Sequence, residues 1–486
     1  MRLRLSSTAI AAAAAIAIAS SSLAVAPATG SWARIGPEGP SLFDMVSAGT
    51  FGSVQGSKFG PDGRLYIFGS FKDAGGDPTA DNIAAYDPVT DSVVGLGSDG
   101  LGDGAINSSV YDIAWVGAIL YVGGAFTNAA GIAAADSLAA WNGTAWSARG
   151  ATSGTVLSLA SRDGSLYVGG GFTDMGGNTS ADNFAVWNGR SWGALGISSF
   201  TNPVDQVLPL ADGRIFAVGR FENADGIAAA DRVVMWSPVT LTWQAAPGTS
   251  DGFFNNNVYA VAAVGSRVIY GGLFTNAGGI ATADRLVEWT GTTWKAYDEL
   301  AGDGSIHDGV VAGLAVYGSN VIASGTFTGV DGVANTAGLA VFNGTKWMAP
   351  GNSQATVVSA VDVVGRTLYA STSTKFLANG ALGIAAYGLP AAPSAPRSPH
   401  ATAGTKRVSL SWTAPSTANG ASLRDYVIQY RRKGTTAWLT FNDGVRTTRT
   451  AVVTGLTTGR TYQFRIQAKN DWGTGSASVL VTATAR

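Results

Sequence analysis

The sequence predicts an all-β protein. Charged residues make up only 13% of the chain, and 66 of its 486 residues are glycine. This composition suits short strands joined by tight turns better than it suits helices. Outside the N-terminus, no long segment shows the 3.6-residue apolar period of an amphipathic helix.

A sequence repeat of about 50 residues recurs along the chain and defines its organisation. The clearest copy reads LYVGGAFTNAAGIAAADSLAAWNGTAW over residues 120–146. A phenylalanine after its first strand marks six copies, at Phe71, Phe126, Phe172, Phe221, Phe274 and Phe327. In five of them an aspartate follows ten residues later, at Asp81, Asp136, Asp182, Asp231 and Asp284. These constant offsets indicate that each copy is one structural unit.

A repeat of this length in an all-β chain is typical of β-propellers, in which each copy is a four-stranded blade. Within one copy we predict strands over residues 110–116, 120–127, 136–142 and 144–150. A seventh copy at 357–388 lacks its fourth strand, because proline-rich sequence begins at Pro390. The segment GSWARIG (30–36) resembles that missing strand. We therefore expect the N-terminal strand to close a seven-bladed propeller over residues 29–389, since an open ring would leave a bare edge.

The motif LYVGG-x-FT-x-AGG, followed by A-x-WNG-x-x-W, carries a family resemblance. It resembles the Kelch-like propellers of the galactose-oxidase central-domain type and, more closely, the repeat of fungal bud-site cortical marker proteins. This resemblance implies the propeller fold and little about activity, because propellers carry many functions. The copper site of galactose oxidase needs a cysteine-linked tyrosine and histidine ligands, whereas this chain has no cysteine and two histidines.

The N-terminus predicts export. Residues 1–28 have the order of a secretory signal peptide: Arg2 and Arg4, then the apolar run TAIAAAAAIAIA, then small residues. No later segment has 18 consecutive apolar residues, so we expect no transmembrane span. We expect a monomer that is extracellular or loosely associated with the cell envelope.

The C-terminal part predicts a second domain. Prolines at 390, 393, 396 and 399 indicate a semi-rigid linker over residues 390–399. Residues 400–486 alternate like a β-sandwich, with Trp412 on an early strand and Tyr462 at a later strand corner. Together these features resemble a fibronectin type III domain.

Net charge divides sharply between the two parts. Residues 27–396 contain 16 Lys and Arg against 29 Asp and Glu, a net charge of −13. Residues 397–486 contain 13 against 3, a net charge of +10. The basic domain is therefore predicted to attract anionic cell-wall polymer. The same charge would also be explained by solubility alone, or by docking onto the acidic propeller.

The long loops of a blade lie at one end of a propeller, which makes that end the predicted binding face. Two loops there deviate from the repeat: Phe253 and Phe254 precede Asn255, and His307 precedes Asp308. Aromatic rings beside amides and acids suit carbohydrate binding. Alternatively, the phenylalanines plug the channel mouth and His307 is a surface loop residue. The five recurring aspartates lie on the same face, and we interpret them as caps of their own loops rather than as a cation site.

We therefore predict a secreted binding protein of the cell envelope or matrix. The propeller would be a platform for an extracellular glycan or protein, and the basic domain a spacer or anchor. No cofactor, metal site, nucleotide-binding loop or nucleic-acid motif is predicted. The alternative is a polysaccharide-active hydrolase or lyase, which would need paired carboxylates in one pocket on the long-loop face.

Overall fold

The computed structural model describes residues 27–35, 52–150, 152–196, 200–297, 306–330, 332–351, 357–375 and 382–486. Most of the predicted signal peptide, and residues 302–305 before His307, lie outside these ranges. Inside them the chain forms 36 β-strands, and its helical segments are five single turns of 3-10 helix. The all-β prediction is therefore confirmed. No helix in these ranges is long and apolar enough to cross a membrane.

Within the described part of residues 27–388, the strands form seven four-stranded antiparallel sheets, here called the seven-sheet region. Sheets one to six each contain four consecutive strands in chain order, and sheet seven combines three late strands with the first strand of the chain. Their bounds are: β1 (Trp32–Arg34) in sheet seven; β2 (Ser53–Phe59), β3 (Leu65–Ser70), β4 (Ile83–Asp87) and β5 (Ser92–Gly95) in sheet one; β6 (Val110–Val116), β7 (Ile119–Gly124), β8 (Leu138–Trp141) and β9 (Trp146–Ala148) in sheet two; β10 (Ser153–Arg162), β11 (Ser165–Thr173), β12 (Phe184–Trp187) and β13 (Trp192–Gly193) in sheet three; β14 (Val204–Pro209), β15 (Ile215–Gly219), β16 (Val233–Ser237) and β17 (Thr242–Ala245) in sheet four; β18 (Val258–Val264), β19 (Arg267–Gly272), β20 (Leu286–Trp289) and β21 (Trp294–Ala296) in sheet five; β22 (Val311–Tyr317), β23 (Asn320–Gly325), β24 (Leu339–Phe342) and β25 (Trp347–Met348) in sheet six; and β26 (Ala360–Val364), β27 (Thr367–Lys375) and β28 (Leu382–Gly388) in sheet seven.

Sheet seven joins the two ends of this region. Its strand order is β1-β28-β27-β26, and Ala33 lies opposite Ala386. The Trp32 ring packs 5.0 Å from Tyr387 and its indole N–H donates to the Pro350 carbonyl at 2.7 Å. Strand β1 thus occupies the outer position of sheet seven. This position was predicted because GSWARIG resembles the fourth strands of the other copies.

Sheets that are neighbours in the chain also pack against each other. The first strands contact in the order β2, β6, β10, β14, β18, β22 and β26, and β2 in turn contacts β26 and β27. Apolar clusters fill the spaces between sheets, and all six anchor phenylalanines are buried. Sheet seven therefore packs against sheet one as the other sheets pack against their successors.

Strand bounds in sheet two show where the sequence prediction is accurate. The first predicted strand, 110–116, coincides with β6, whereas β7, β8 and β9 are shorter than predicted. The second strand ends at Gly124 because the chain then enters a loop that contains a 3-10 turn. Equivalent turns lie in sheets one to five, at Ala74–Gly76, Ala129–Gly131, Met175–Gly177, Ala224–Gly226 and Ala277–Gly279.

Residues 397–486 form a β-sandwich. One sheet has the order β29-β30-β33, and the other has the order β32-β31-β34-β35, with β36 also paired to β34. The Tyr462 hydroxyl accepts a hydrogen bond from the Thr457 N–H at 3.1 Å, and both Tyr462 and Trp412 are buried. Strand bounds are β29 (Arg397–Gly404), β30 (Arg407–Thr413), β31 (Leu423–Arg432), β32 (Leu439–Phe441), β33 (Thr450–Thr454), β34 (Thr461–Asn470), β35 (Gly473–Ala477) and β36 (Val481–Thr484).

The linker is shorter than its sequence suggested. Strand β29 begins at Arg397, so the last three residues of the predicted 390–399 linker belong to the sandwich. Ala391 N–H donates to the Asn419 carbonyl at 3.0 Å, and Ser394 N–H donates to the Thr417 carbonyl at 3.0 Å. These hydrogen bonds attach the linker to the sandwich.

The sandwich docks onto the seven-sheet region through the turn between β34 and β35. The Asp471 carboxylate accepts from Lys346 at 3.1 Å, and its backbone carbonyl accepts from the Asn343 side chain at 2.7 Å. The Trp472 ring lies 6.1 Å from Tyr317. Because these partners lie in the tight turns of sheet six, docking uses the end opposite the long loops.

Candidate binding cavity

One cavity is lined by the first strands of all seven sheets. Its volume is about 380 Å³. A second cavity of about 450 Å³ adjoins it, and both are lined by Lys58, Asp112, Ser158, Gln206 and Asp362. This cavity is the best candidate for a functional site, because residues from distant parts of the repeat converge there.

A β-bulge places the residues at the cavity mouth. The first strand of each of sheets one to six shifts register immediately after a valine. A bulge inserts one extra residue and re-aims its side chain. The residue after the valine lines the cavity in all six sheets, and Ser359 does so in sheet seven; the six are Gln55, Tyr111, Leu157, Asp205, Tyr259 and Ala312. We call these seven residues the mouth ring.

Each bulge lies opposite a glycine of the repeated strand LYVGG. The valine of each bulge pairs with a glycine on the second strand, as Val156 pairs with Gly170. A Cβ atom on Gly170 would overlap the Thr155 carbonyl oxygen. The equivalent glycines face the same obstruction in the other sheets, at Gly69, Gly124, Gly219, Gly272 and Gly325. The repeat therefore needs glycine here for close backbone approach, which is a recognised role of glycine within strands.

Below the mouth ring, polar side chains connect each sheet to the next. The Lys58 ammonium donates to the Asp112 carboxylate at 2.5 Å, and Asp112 accepts from the Leu159 N–H at 2.8 Å. Ser158 and Gln206 accept N–H bonds from the following sheets in the same way, at 3.1 and 2.6 Å. These groups satisfy backbone donors that the bulges expose, so their first role is structural.

The mouth ring itself is asymmetric and polar. Arg220 binds Asp205 through two hydrogen bonds of 2.9 and 3.0 Å, and its guanidinium carbon lies 5.8 Å from the Tyr259 ring centroid. The Tyr259 hydroxyl accepts from the Asn257 amide at 3.0 Å. Burial raises the pKa of the Asp205 carboxyl, although Arg220 opposes the shift. Tyr111 and Tyr259, from sheets two and five, are both half-buried.

Deeper in the cavity wall, Asp362 stands apart from the structural bonds between sheets. Burial raises the pKa of its carboxyl, Lys58 lowers it, and Asp112 adds to the increase. Its carboxylate accepts a hydrogen bond from the adjacent Val363 N–H at 2.8 Å. Two carboxyl groups therefore lie near one lysine. No group of three or more His, Cys, Asp or Glu that could hold a metal occurs in the part of the chain that the structure describes.

The predicted ligand residues lie elsewhere. Phe253 and Phe254 are buried, with 7% and 2% of their surface exposed. The Phe253 ring lies 4.4 Å from Trp294, and the Phe254 ring lies 5.0 Å from Phe274. Because these rings pack in the core of sheet five, they offer no open face to a sugar, which argues against the predicted stacking role.

Asn255 and Asp308 occupy equivalent positions in successive sheets. Asn255 accepts from the Thr275 N–H at 2.9 Å, and Asp308 accepts from the Thr328 N–H at 2.9 Å. Hydrogen bonds from Thr328 also lower the pKa of the Asp308 carboxyl. The same bond joins the Asn107 side chain to the Thr127 N–H in sheet two. Both residues thus hold the connection between sheets, and His307 beside them is exposed.

Each of the five recurring aspartates makes the same kind of hydrogen bond within its own loop. Each accepts an N–H eight residues before it, at 2.6 to 2.9 Å, from the residue that begins the 3-10 turn. That residue has a positive φ of 50 to 53° in each case. The carboxylates therefore hold the loop between the second and third strands in its left-handed turn; they are Asp81, Asp136, Asp182, Asp231 and Asp284.

Sequence reasoning missed Tyr111, Asp205, Arg220 and Tyr259. A signal was available for Tyr111, Asp205 and Tyr259: each occupies the variable position after the valine that pairs with the repeated glycine. Its significance depends on the bulge, because without the extra residue the same side chain would follow ordinary strand alternation.

Comparisons with known proteins concern the sandwich. Residues 394–484 match the fibronectin type III domain. Over 71 residues the chain is 35% identical to M-protein of striated muscle from Gallus gallus, a match that covers 15% of this chain and 5% of that protein. The chain thus corresponds to a small part of this curated relative.

Similar solved structures cover the same part of the chain. One contains titin kinase and its flanking domains, at 23% identity and a TM-score of 0.19, covering 20% of this chain and 18% of that one. Another is the fibronectin type III domain of human fibronectin type III domain containing protein 3, at 26% identity and a TM-score of 0.18, covering 20% and 87%. On the family match and the strand order, residues 394–484 form a fibronectin type III domain.

Proposed function

We propose that the seven sheets are the blades of a β-propeller that β1 closes, and that the protein is a secreted binder of extracellular glycans. Three observations support the ring: each sheet packs against both neighbours, sheet seven packs against sheet one, and one cavity touches the first strands of all seven. If the sheets were instead paired in sandwiches, two sheets would enclose each core and no cavity would join all seven.

The asymmetric mouth ring carries the proposal of glycan binding. Tyr111 and Tyr259 offer aromatic surface, while Gln55, Asp205 and Ser359 offer hydrogen-bonding groups around it. Ligand pockets combine apolar walls with a few placed polar groups, and a volume of about 380 Å³ lies in their usual range. The Asp205–Arg220 pair and the Asn257 hydrogen bond fix the site before a ligand arrives, which reduces the entropy lost on binding.

A glycan array with the full-length protein tests this proposal, followed by variants of the two tyrosines. Tyr111→Ala with Tyr259→Ala should weaken binding about tenfold or more, because aromatic contacts contribute about 1 kcal/mol each. Tyr111→Phe with Tyr259→Phe keeps the rings and should retain most of the affinity. Val239→Ala, at an exposed position remote from the cavity, is the control.

Two results would contradict glycan binding at this site. One is an array on which no glycan is bound, and the other is unchanged affinity of the double alanine variant. A protein partner that covers the whole long-loop face should bind the double alanine variant with nearly unchanged affinity. The same variants therefore distinguish a protein ligand from a glycan.

The basic sandwich is proposed to act as an anchor for anionic polymer. Its net charge of +10 is opposite to that of the seven-sheet region, and it docks at the end away from the long loops. Docking therefore leaves the mouth ring accessible while the sandwich presents its own surface.

Polysaccharide hydrolysis is a second candidate, favoured by the proximity of Asp112 and Asp362 to Lys58. A glycosidase needs two carboxyl groups, one of them protonated, and burial raises the pKa of Asp362. Binding is the better proposal because Asp112 is held by Lys58 and by the Leu159 N–H. Release of reducing ends that Asp362→Asn abolishes would favour hydrolysis instead.

A further inference from the structure

A tryptophan on the outer face of the sandwich contacts two arginines. The Arg431 and Arg465 guanidinium carbons lie 4.4 and 4.3 Å from the centroid of the Trp438 ring. Strands β31 and β34 place both arginines on one face, because Gln429 pairs with Arg465 and Arg431 pairs with Gln463. We call Arg431, Trp438 and Arg465 the arginine–tryptophan cluster.

Hydrogen bonds fix the orientation of both guanidinium groups. Arg431 donates through Nε to the Gln463 side chain at 3.0 Å, and Arg465 donates through Nε to the Gln429 side chain at 2.8 Å. Stacking against Trp438 adds a second restraint. Arg431 also donates through Nη1 to the Thr436 carbonyl at 3.3 Å. The remaining Nη atoms thus belong to side chains that have already lost much of their rotamer freedom.

The cluster carries positive charge without local compensation. Within the described residues no carboxylate lies at ion-pair distance from Arg431 or Arg465, whereas Arg424 pairs with Asp471 and Arg446 pairs with Asp443. Arg465 lies five residues from Asn470 along β34, which is roughly 17 Å of extended strand. The cluster is therefore remote from the docking turn and remains accessible.

We propose that this cluster is the binding site for an acidic polysaccharide, an inference that rests on the anchoring role proposed for the sandwich. Two oriented guanidinium groups match the planar oxygen pairs of carboxylates. The Gln429 and Gln463 side-chain oxygens already accept from the two arginines, and the Gln429 amide nitrogen donates to the Thr440 hydroxyl. The Gln463 amide nitrogen and the Thr440 hydroxyl lie on or beside the same face and can bond sugar hydroxyls. Preorganisation makes the cluster a specific site within a domain that is basic as a whole.

Matched pairs of charge variants in the full-length protein test this site. Arg431→Gln with Arg465→Gln and Lys406→Gln with Arg407→Gln each remove two positive charges. Lys406 and Arg407 are exposed at the turn between β29 and β30, on the other sheet. The probe is polygalacturonate, with uncharged dextran and inorganic polyphosphate as comparison polymers, measured at about 0.05 M and about 0.5 M salt. Thermal unfolding of every variant checks that it is folded.

We expect the cluster variant to bind polygalacturonate about tenfold more weakly than wild type and the control variant about twofold more weakly at most. Trp438→Ala keeps both charges but frees the guanidinium groups, and it should also weaken binding. Dextran should not bind, and binding of polygalacturonate should fall at high salt.

Each opposing result has a definite meaning. Equal losses in the two charge variants would overturn the cluster but leave general anchoring by the basic domain intact. Wild-type binding to polyphosphate alone, dependent on the cluster, would overturn the assignment of an acidic polysaccharide. Absence of binding to either polyanion would overturn both the cluster and the proposed anchor.

Discussion

The seven-sheet region and the fibronectin type III domain differ in how their sequences determine their structures. In the seven-sheet region, bulges, glycines and left-handed turns repeat in successive sheets, so backbone geometry determines the structure. In the sandwich, buried and exposed side chains alternate simply, as in β30, where Val408, Leu410 and Trp412 are buried and Arg407 and Ser409 are exposed. Substitutions should therefore act through the backbone in the first region and through side-chain packing in the second.

Docking between the two regions does not follow their net charges. The seven-sheet region is acidic and contributes Lys346, while the sandwich is basic and contributes Asp471. Each region thus uses a residue whose sign is opposite to its own net charge. This difference indicates that local geometry, rather than long-range attraction, determines how the regions meet.

The largest expected effect comes from removal of β1. Deletion of residues 29–36 exposes the edge of β28 and removes the packing of Trp32 on Tyr387, so the melting temperature should fall substantially and aggregation should increase. The sandwich should keep its own unfolding transition, because its core is separate. A monomeric truncated protein with unchanged melting would refute the role of β1.

A smaller effect is expected from one methyl group at a bulge. Gly170→Ala would force a Cβ atom against the Thr155 carbonyl, so stability should fall by about 1–3 kcal/mol, the usual cost of overpacking. Gly193→Ala is a matched control in the same sheet, because a Cβ atom there meets no atom within 4 Å. Denaturant unfolding of both variants measures the difference. Equal stabilities would contradict the role given to the repeated glycine.

The smallest effect concerns the docking contact. Burial raises the pKa of Asp471, but Arg424 and Lys346 outweigh it and hold this pKa below its usual value. A depressed pKa means that the contact stabilises the folded state at neutral pH and loses this contribution as pH falls through the folded-state pKa. Asp471→Asn should cost less than about 1 kcal/mol at neutral pH, and its difference from wild type should disappear once the pH has fallen below the folded-state pKa of Asp471.

Thermal unfolding at a series of pH values, from neutral into acid, measures the docking effect. Asp443→Asn is the control, because Asp443 faces Arg446 within the sandwich and takes no part in docking. A difference between Asp471→Asn and wild type that persisted in acid would show that the carboxylate does not act through its charge.

Much of the fold could be predicted from the sequence. The spacing of Phe126 and Asp136 identified the unit, and the likeness of GSWARIG to a fourth strand placed β1 beside β28. Trp412 and Tyr462 similarly identified the sandwich, because its sequence follows simple strand alternation. The linker boundary was less accurate, since proline spacing does not reveal that β29 begins at Arg397.

The candidate site was harder to predict. Phe253 and Phe254 were predicted to bind a ligand because they deviate from the repeat. Deviation alone does not distinguish a ring that fills a local core from one that faces solvent. Tyr111 and Tyr259 occupy ordinary-looking strand positions, and only the register shift after the preceding valine directs them to the cavity. A two-residue alternation cannot predict such a shift.

The most direct test of the account is a disulfide across the proposed closure. The chain has no cysteine, so Ala33→Cys with Ala386→Cys introduces one possible pair at directly opposed positions of β1 and β28. Oxidation should give an intramolecular cross-link in the monomer and raise the melting temperature, because a disulfide that closes a long loop restricts the unfolded chain. Ala33→Cys with Ala385→Cys, one residue out of register, should cross-link poorly. Failure of the in-register pair to cross-link, or equal cross-linking of both pairs, would contradict closure of the seven-sheet region by its N-terminal strand.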